Sequence, residues 1–281
     1  MEKHYKRTLY CGRKTLELDR PAVMGIVNLT PDSFSGDGVG ADISAALRYA
    51  EVQIAAGADI LDLGAESSRP GAQPLSLSDE LARLLPVLQG LRDCSLPVSV
   101  DTYKPEVMRA ALDSGADIIN DIYALRRPGA IDAIVNAQCA VCLMHMQGEP
   151  LNMQAAPEYQ DVVGDVERFL KDQASQALEA GISAERIWID PGFGFGKSLS
   201  HNIALFRHIK RFADSGYPVL VGVSRKSMLG TITGRRVDER NSASVVAATL
   251  AAKSGASILR VHDVAATLDG LRVLIALGEY S

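Results

Sequence analysis

Short apolar runs in this chain end repeatedly in a residue able to do chemistry. The ends, in order, are Asn28, Glu66 with Ser67-Ser68-Arg69, Asp101, Asn120 with Asp121, His145, Asp190, Ser224-Arg225-Lys226-Ser227, and Arg260 with His262. Each alone has an ordinary explanation as a helix cap or a surface ion pair. So many at one kind of position argue for a common site. They fall into two groups. Asn28, Ser68, Arg69, Arg260 and His262 form a cationic, amide-bearing set suited to phosphate or diphosphate oxygens. Asp101, Asn120 and Asp190 form an acceptor-rich set suited to the edge of a flat heterocycle with several N–H donors. Lys226 adds a cation between the two. Two loops rich in Gly, Ser and Pro, residues 30–38 and 66–72, carry apolar tips at Phe34 and Pro70 and read as lids that fold over substrate.

These side chains can meet only if the intervening elements bring every run's end to one side. Near-continuous apolar runs over 23–28, 60–64, 97–101, 117–121, 140–145, 186–190, 218–224 and 257–262 predict parallel strands buried on both faces. Between them the spacing turns helical: over 43–56, Ile43, Ala46, Leu47, Ala50 and Ile54 share a face. A helix over 78–91 opens with Ser78 as its N-cap, and the next starts at Pro105. Gly57, Gly115, Gly181 and Gly255 mark helix ends, as residues that tolerate a left-handed backbone. About eight such units predict an α/β fold, a (β/α)8 TIM barrel, in which all strand ends share one rim. An open doubly wound sheet would have fewer strands and a nucleotide fingerprint after the first. Residues 6–19 read as an N-terminal β-hairpin around Cys11-Gly12-Arg13 that caps the bottom of the barrel. With no linker, charge block or second core, residues 1–281 read as one domain, although length alone would allow two.

Composition narrows the function. The chain has 281 residues, 47% hydrophobic and 22% charged, with a formal net charge of -5. That balance argues against a nucleic-acid binder. No apolar run approaches the roughly 18 residues of a membrane span, and the charged residues 1–20 do not read as a signal peptide. The expectation is a cytosolic protein. Four cysteines are too few and scattered for a disulfide framework. Cys139 and Cys142 form C-x-x-C inside a strand run, where positions three apart point to opposite faces, so they read as buried packing. Gly192-Phe193-Gly194-Phe195-Gly196-Lys197-Ser198 is not a P-loop, because Pro191 stands where Gly is needed. It reads as a close backbone approach to a ligand beside Asp190, with Phe195 available for stacking. His201 and His208 lie two helical turns apart, too far to share a metal.

Eight motifs in chain order carry a family resemblance: Met24-Gly25-Ile26-Val27-Asn28-Leu29-Thr30-Pro31-Asp32-Ser33-Phe34-Ser35, Glu66-Ser67-Ser68-Arg69-Pro70-Gly71-Ala72, Val100-Asp101-Thr102, Ile119-Asn120-Asp121, Leu143-Met144-His145-Met146-Gln147-Gly148, Asp190 to Lys197, Ser224-Arg225-Lys226-Ser227, and Arg260-Val261-His262-Asp263. Together they resemble the dihydropteroate synthases, from residue 22 to the end. The resemblance implies a cytoplasmic transferase of folate synthesis, a sulfonamide target and a homodimer. It would condense 6-hydroxymethyl-7,8-dihydropterin diphosphate with 4-aminobenzoate, using Mg²⁺. It implies that Asn28 contacts Mg²⁺ and the diphosphate, while Ser68, Arg69, Arg260 and His262 hold diphosphate oxygens. Asp101, Asn120, Asp190 and Lys226 would bind the pterin, with Met144 and Phe195 lining its slot. Thr30, Phe34 and Pro70 would build the 4-aminobenzoate pocket, and Ser227 would receive its carboxylate. Asp101, Asp190, Lys226, Arg260 and His262 would form the catalytic set. Two departures stand out: Ser68 replaces the family's usual Thr, keeping the hydroxyl, and Ser35-Gly36-Asp37-Gly38 replaces Ser-Asp-Gly-Gly. Three rival readings are a methyltransferase domain serving a corrinoid, an aldolase using Lys226 as a Schiff base, and an inactive pterin-binding protein. The first needs no diphosphate set.

Overall fold

A computed structural model of the chain describes residues 7–30, 43–69 and 71–280. Strands β1 (Arg7–Cys11) and β2 (Lys14–Leu18) form an antiparallel hairpin with Cys11 opposite Lys14. Eight parallel strands follow: β3 (Ala22–Asn28), β4 (Ile60–Gly64), β5 (Val98–Asp101), β6 (Ile118–Asp121), β7 (Ala140–Met144), β8 (Ile187–Asp190), β9 (Leu220–Val221) and β10 (Ile258–Val261). The hydrogen-bonded order is β8-β7-β6-β5-β4-β3-β10-β9, and a bridge between Ile189 and Val219 joins its two ends. The sheet thus closes on itself, as the eight apolar runs predict. The last predicted strand but one shrinks to two residues, because the chain turns at Val223 (Lys226 N–H to Val223 O, 3.2 Å) to begin a helix.

Around the barrel, among the described residues, run α1 (Ile43–Ala55), α2 (Leu77–Gly90), α3 (Pro105–Asp113), α4 (Ala130–Ile134), α5 (Val162–Glu179), α6 (Leu199–Arg207), α7 (Ile209–Ala213), α8 (Ser227–Thr233), α9 (Asn241–Lys253) and α10 (Val264–Ala276). Two details correct the sequence reading. The cap of α2 is Ser76, whose hydroxyl accepts from Asp79 N, and not Ser78. In α1 Ala46 and Ala50 are buried and Leu47 and Ile54 pack against the core as predicted, but Ile43 is 38% exposed and the polar Gln53 is buried. Gln53 donates from Nε2 to His262 O at 3.2 Å, beside the end of β10.

The core has two main layers. One lies between sheet and helices; the other fills the barrel's lower interior with Met24, Ile60, Ile118, Cys142, Trp188, Leu220 and Ile258. Leu9, Cys11, Leu16 and Leu18 of the hairpin close that interior from below. Each such side chain, fully buried, contributes roughly 1.5–3 kcal/mol. Arg13 and Lys14 add ion pairs to the buried Asp117, at 3.2 and 3.1 Å, at the foot of β6. Cys139 belongs to the outer layer and Cys142 to the inner one, so the C-x-x-C sulfurs do diverge. Among the described residues, no helix is long and apolar enough to cross a membrane.

Candidate active site

Side-chain alternation connects that floor to the rim. The residue two places beyond each lower-interior position points inward one level higher. That level holds Ile26, Asp62, Asn120, Met144, Asp190, Gly222 and Arg260. In the ladder Asn28 lies beside Gly64, Gly64 beside Asp101, and Asp101 beside Asn120. Gly64 leaves a cradle in this row: a Cβ there would sit 3.7 Å from Asn28 Oδ1 and 3.8 Å from Asp101 Cβ. Met144 and Asp190 pair in the same way on the far side.

The long side chain of Arg260 crosses the barrel interior. It donates from Nε to Asp62 Oδ2 at 2.6 Å and from Nη2 to Asp101 Oδ2 at 3.0 Å. Asp62 Oδ1 accepts from Ser99 Oγ at 2.6 Å. The sequence reading sorts Arg260 and Asp101 into different groups; the fold makes them one ion pair that spans both. Burial raises the Asp101 carboxyl to about 7 against the pull of Arg260, with Asp62, Glu80 and Asp121 adding repulsion. Burial also raises Asp190 against the pull of Lys226, and lowers Lys226 to about 8 against the pull of Asp190.

A third apolar cluster stands at the rim, where Met144 packs with Ile122, Tyr123, Met146 and Met153, and Tyr103 and Phe195 lie against them. The ammonium of Lys226 sits 4.7 Å from the Phe195 ring centroid and donates to Phe193 O. Asn120 Oδ1 is buried with no hydrogen-bond partner among the described residues. Acceptors, a lysine and an apolar wall therefore converge on one part of the rim.

On the cationic side, His262 is pushed down to about 3 by burial and by Arg225, Arg260, Arg69 and Lys226. It is a neutral imidazole at ordinary pH. Ser224 Oγ accepts from His262 N–H at 3.3 Å and lies 3.0 Å from Nδ1. Ser68 and Arg69 follow β4 on a loop whose base is braced by Glu66, which accepts from Tyr103 Oη (2.8 Å), Lys104 Nζ (2.5 Å) and Leu75 N–H (3.0 Å). Thr30 is half-buried just past β3, and Ser227 is exposed in the first turn of α8. Phe34 and Pro70 lie outside the described residues.

Asp62, Ser99 and Ser224 complete the site, and a reading of strand ends passes over the first two. A findable signal exists: a carboxylate inside the otherwise apolar run 60–64, two residues from the end that faces the rim. No periodicity could reveal that Asp62 meets Arg260, 198 residues away.

A family model for pterin binding enzymes matches residues 24–262. The dihydropteroate synthase of Neisseria meningitidis serogroup C is 51% identical over 272 residues, covering 95% of this chain and 96% of that protein. Among solved structures, Burkholderia cenocepacia dihydropteroate synthase complexed with 7,8-dihydropteroate superposes with a TM-score of 0.89 at 50% identity, covering 98% of each chain. Xanthomonas albilineans dihydropteroate synthase with 4-aminobenzoic acid gives 0.91 at 49% identity, covering 98% of this chain and 99% of that one. Sequence, barrel and rim agree, and the chain belongs to the pterin-binding enzymes and, among them, to the dihydropteroate synthase family.

Proposed function

We infer that the protein joins 6-hydroxymethyl-7,8-dihydropterin diphosphate to 4-aminobenzoate, giving 7,8-dihydropteroate and diphosphate. The observation that carries this reading is the unpaired, buried Asn120 Oδ1 in the row beside Asp101. A buried acceptor left unsatisfied costs about 1–3 kcal/mol, so it marks where a ligand N–H belongs. The pterin edge supplies such donors to Asp101, Asn120 and Asp190, while Met144 and Phe195 flank the ring and Lys226 meets its acceptors. Ser68, Arg69, Arg260 and His262 receive the diphosphate.

The bond that breaks joins the exocyclic methylene to the diphosphate oxygen, which leaves with the electron pair. Asp101 and Asp190 stabilise the positive charge that grows on the pterin. Arg69, Arg260 and the neutral His262, donating hydrogen bonds, stabilise the charge growing on the leaving oxygen. The amine of 4-aminobenzoate then forms the C–N bond and gives up its proton. Thr30, Phe34 and Pro70 enclose its ring, and Ser227 in the first turn of α8 takes its carboxylate.

Mg²⁺ fits one position. The cradle at Gly64 presents Asn28 Oδ1 next to Asp101, and no group of three His, Cys, Asp or Glu among the described residues forms a protein cage. Asn28 would hold the ion, with diphosphate oxygens and water completing its shell. When bound, the ion draws charge from the diphosphate. The reading also puts the enzyme in the cytoplasm, in keeping with four free thiols, and makes it a homodimer. Exposed Val246 and Leu250 on α9 and Val273 and Leu277 at α10 form an apolar surface suited to that contact.

The test is direct: purified protein given both substrates should release diphosphate and form 7,8-dihydropteroate in equal amounts. Diphosphate release that ignores 4-aminobenzoate, or no reaction at all, would overturn the reading.

A further inference from the structure

One buried lysine remains outside the chemistry above. Lys197 is 3% exposed. Its amine touches Gly192 O (2.9 Å), Phe195 O (3.0 Å), His145 O (3.2 Å) and His145 Nδ1 (2.9 Å), with no carboxylate in hydrogen-bond reach among the described residues. The amine thus meets four neutral partners, three of them backbone carbonyls. The segment from Gly192 to Gly196 wraps around this one amine.

The wrapping is tight. A Cβ on Gly192 would lie 1.9 Å from His145 O, and one on Gly196 2.3 Å from Gln147 O; both glycines have positive φ, +71° and +61°. The loop is therefore pressed against the end of β7, and only glycine permits that approach. Pterin-side groups contact the same five residues. Gly192 N–H donates to Asp190 Oδ1 at 2.7 Å, Phe193 O accepts from Lys226, and the Phe195 ring lies under the Lys226 ammonium. Among the described residues, Arg69, Arg260 and His262 hydrogen-bond elsewhere and not to this loop.

We propose that Lys197 is a positioning residue, a tethered hydrogen-bond donor around which the Gly192–Gly196 backbone folds so that Asp190, Phe195 and Lys226 meet the pterin. The proposal rests on the reading of the site given above. Burial holds the amine well below its ordinary range, a cost that a residue serving only to fill space would not need to carry; methionine would fill the same space without it.

The experiment compares two affinities in one protein. Titration calorimetry with 6-hydroxymethyl-7,8-dihydropterin and with inorganic diphosphate, separately, is run on the wild type and on Lys197→Met. The pterin Kd should rise at least about 10-fold and kcat/KM for the pterin diphosphate should fall about 10²-fold, the scale of an ångström's misplacement. The diphosphate Kd should stay within about 2-fold. Equal weakening of both ligands would reduce Lys197 to general stability, and unchanged pterin binding would remove it from the site; either overturns the proposal. If Lys197→Met does not fold, Lys197→Arg reads the same split, since it keeps N–H donors but its planar fork cannot fill a cage built for a single amine. Wild-type protein that binds neither ligand would instead sink the functional reading and leave the variants' comparison without its premise.

Discussion

At the scale of single residues, Asp101 carries the greatest weight. Its carboxyl is raised to about 7, so it changes charge within the working range of an ordinary enzyme. The ionised form is the one that can stabilise cationic character on the pterin, so kcat/KM should fall as pH drops through about 7. Asp101→Asn should lower turnover at least about 10²-fold, or about 2.7 kcal/mol of barrier; wild-type turnover in that variant would remove Asp101 from catalysis. Asp62 gives the companion test. Its charge raises Asp101, and its bond to Arg260 keeps that guanidinium from serving Asp101 alone. Asp62→Asn should therefore shift the acidic limb of the pH profile downward, and an upward shift would refute the assigned coupling. Most of these residues are legible in the sequence because they end apolar runs. Asp62 is harder to see, because it interrupts one.

At the scale of elements, the hairpin shows how a bottom cap constrains a barrel that works at its top. Gly12, in its turn, has φ +66°, and a Cβ there would meet Asp117 O and Gln138 O at 2.5 Å. Gly12→Ala should thus destabilise the fold by about 2–4 kcal/mol through strain and overpacking. The urea midpoint should fall while kcat at low denaturant stays close to wild type, because the turn lies at the opposite end from Asp101. A midpoint equal to wild type would show that the hairpin does not bear on the barrel. Sequence predicts the hairpin from two short runs around Gly12, and it predicts most strands to within a residue. It overextends β9, since Val223 continues the apolar run after the chain has left the ladder. It also misplaces the cap of α2, since Ser76 and Ser78 are equally good hydroxyls and only the chain's path selects Ser76.

At the scale of the whole molecule, buried ionisable groups of opposite kinds pull stability in opposite directions with pH. His145 is lowered to about 2, by burial first and then by Lys197, and His262 to about 3. Both take up protons near 6.5 when unfolded, so their contribution is complete above that value and is lost as pH falls toward the folded values. Each loses about 1.4 kcal/mol per pH unit in that window. Asp101, and Asp121 at about 6, work the other way, because the folded protein binds their protons first. The net slope between pH 6 and 5 should accordingly be shallow. Removing one contributor exposes it: the stability of His145→Phe relative to wild type should improve by about 2 kcal/mol between pH 6.5 and 5. Denaturant unfolding at the two pH values checks this, and a pH-independent difference would mean that His145 is not buried neutral.

The sequence by itself determined the barrel, the hairpin and the identity of nearly every rim residue. Strand burial, helix caps and polar strand ends are local properties, written within a few positions of one another. The closed barrel alone decided which of those residues touch. It lets Arg260 on β10 reach past β3 to Asp62 on β4 and Asp101 on β5, and it sets the Lys197 amine against His145 Nδ1. These partners stand tens or hundreds of positions apart, and their charges answer to a shared low-dielectric interior that exists only once the chain has folded.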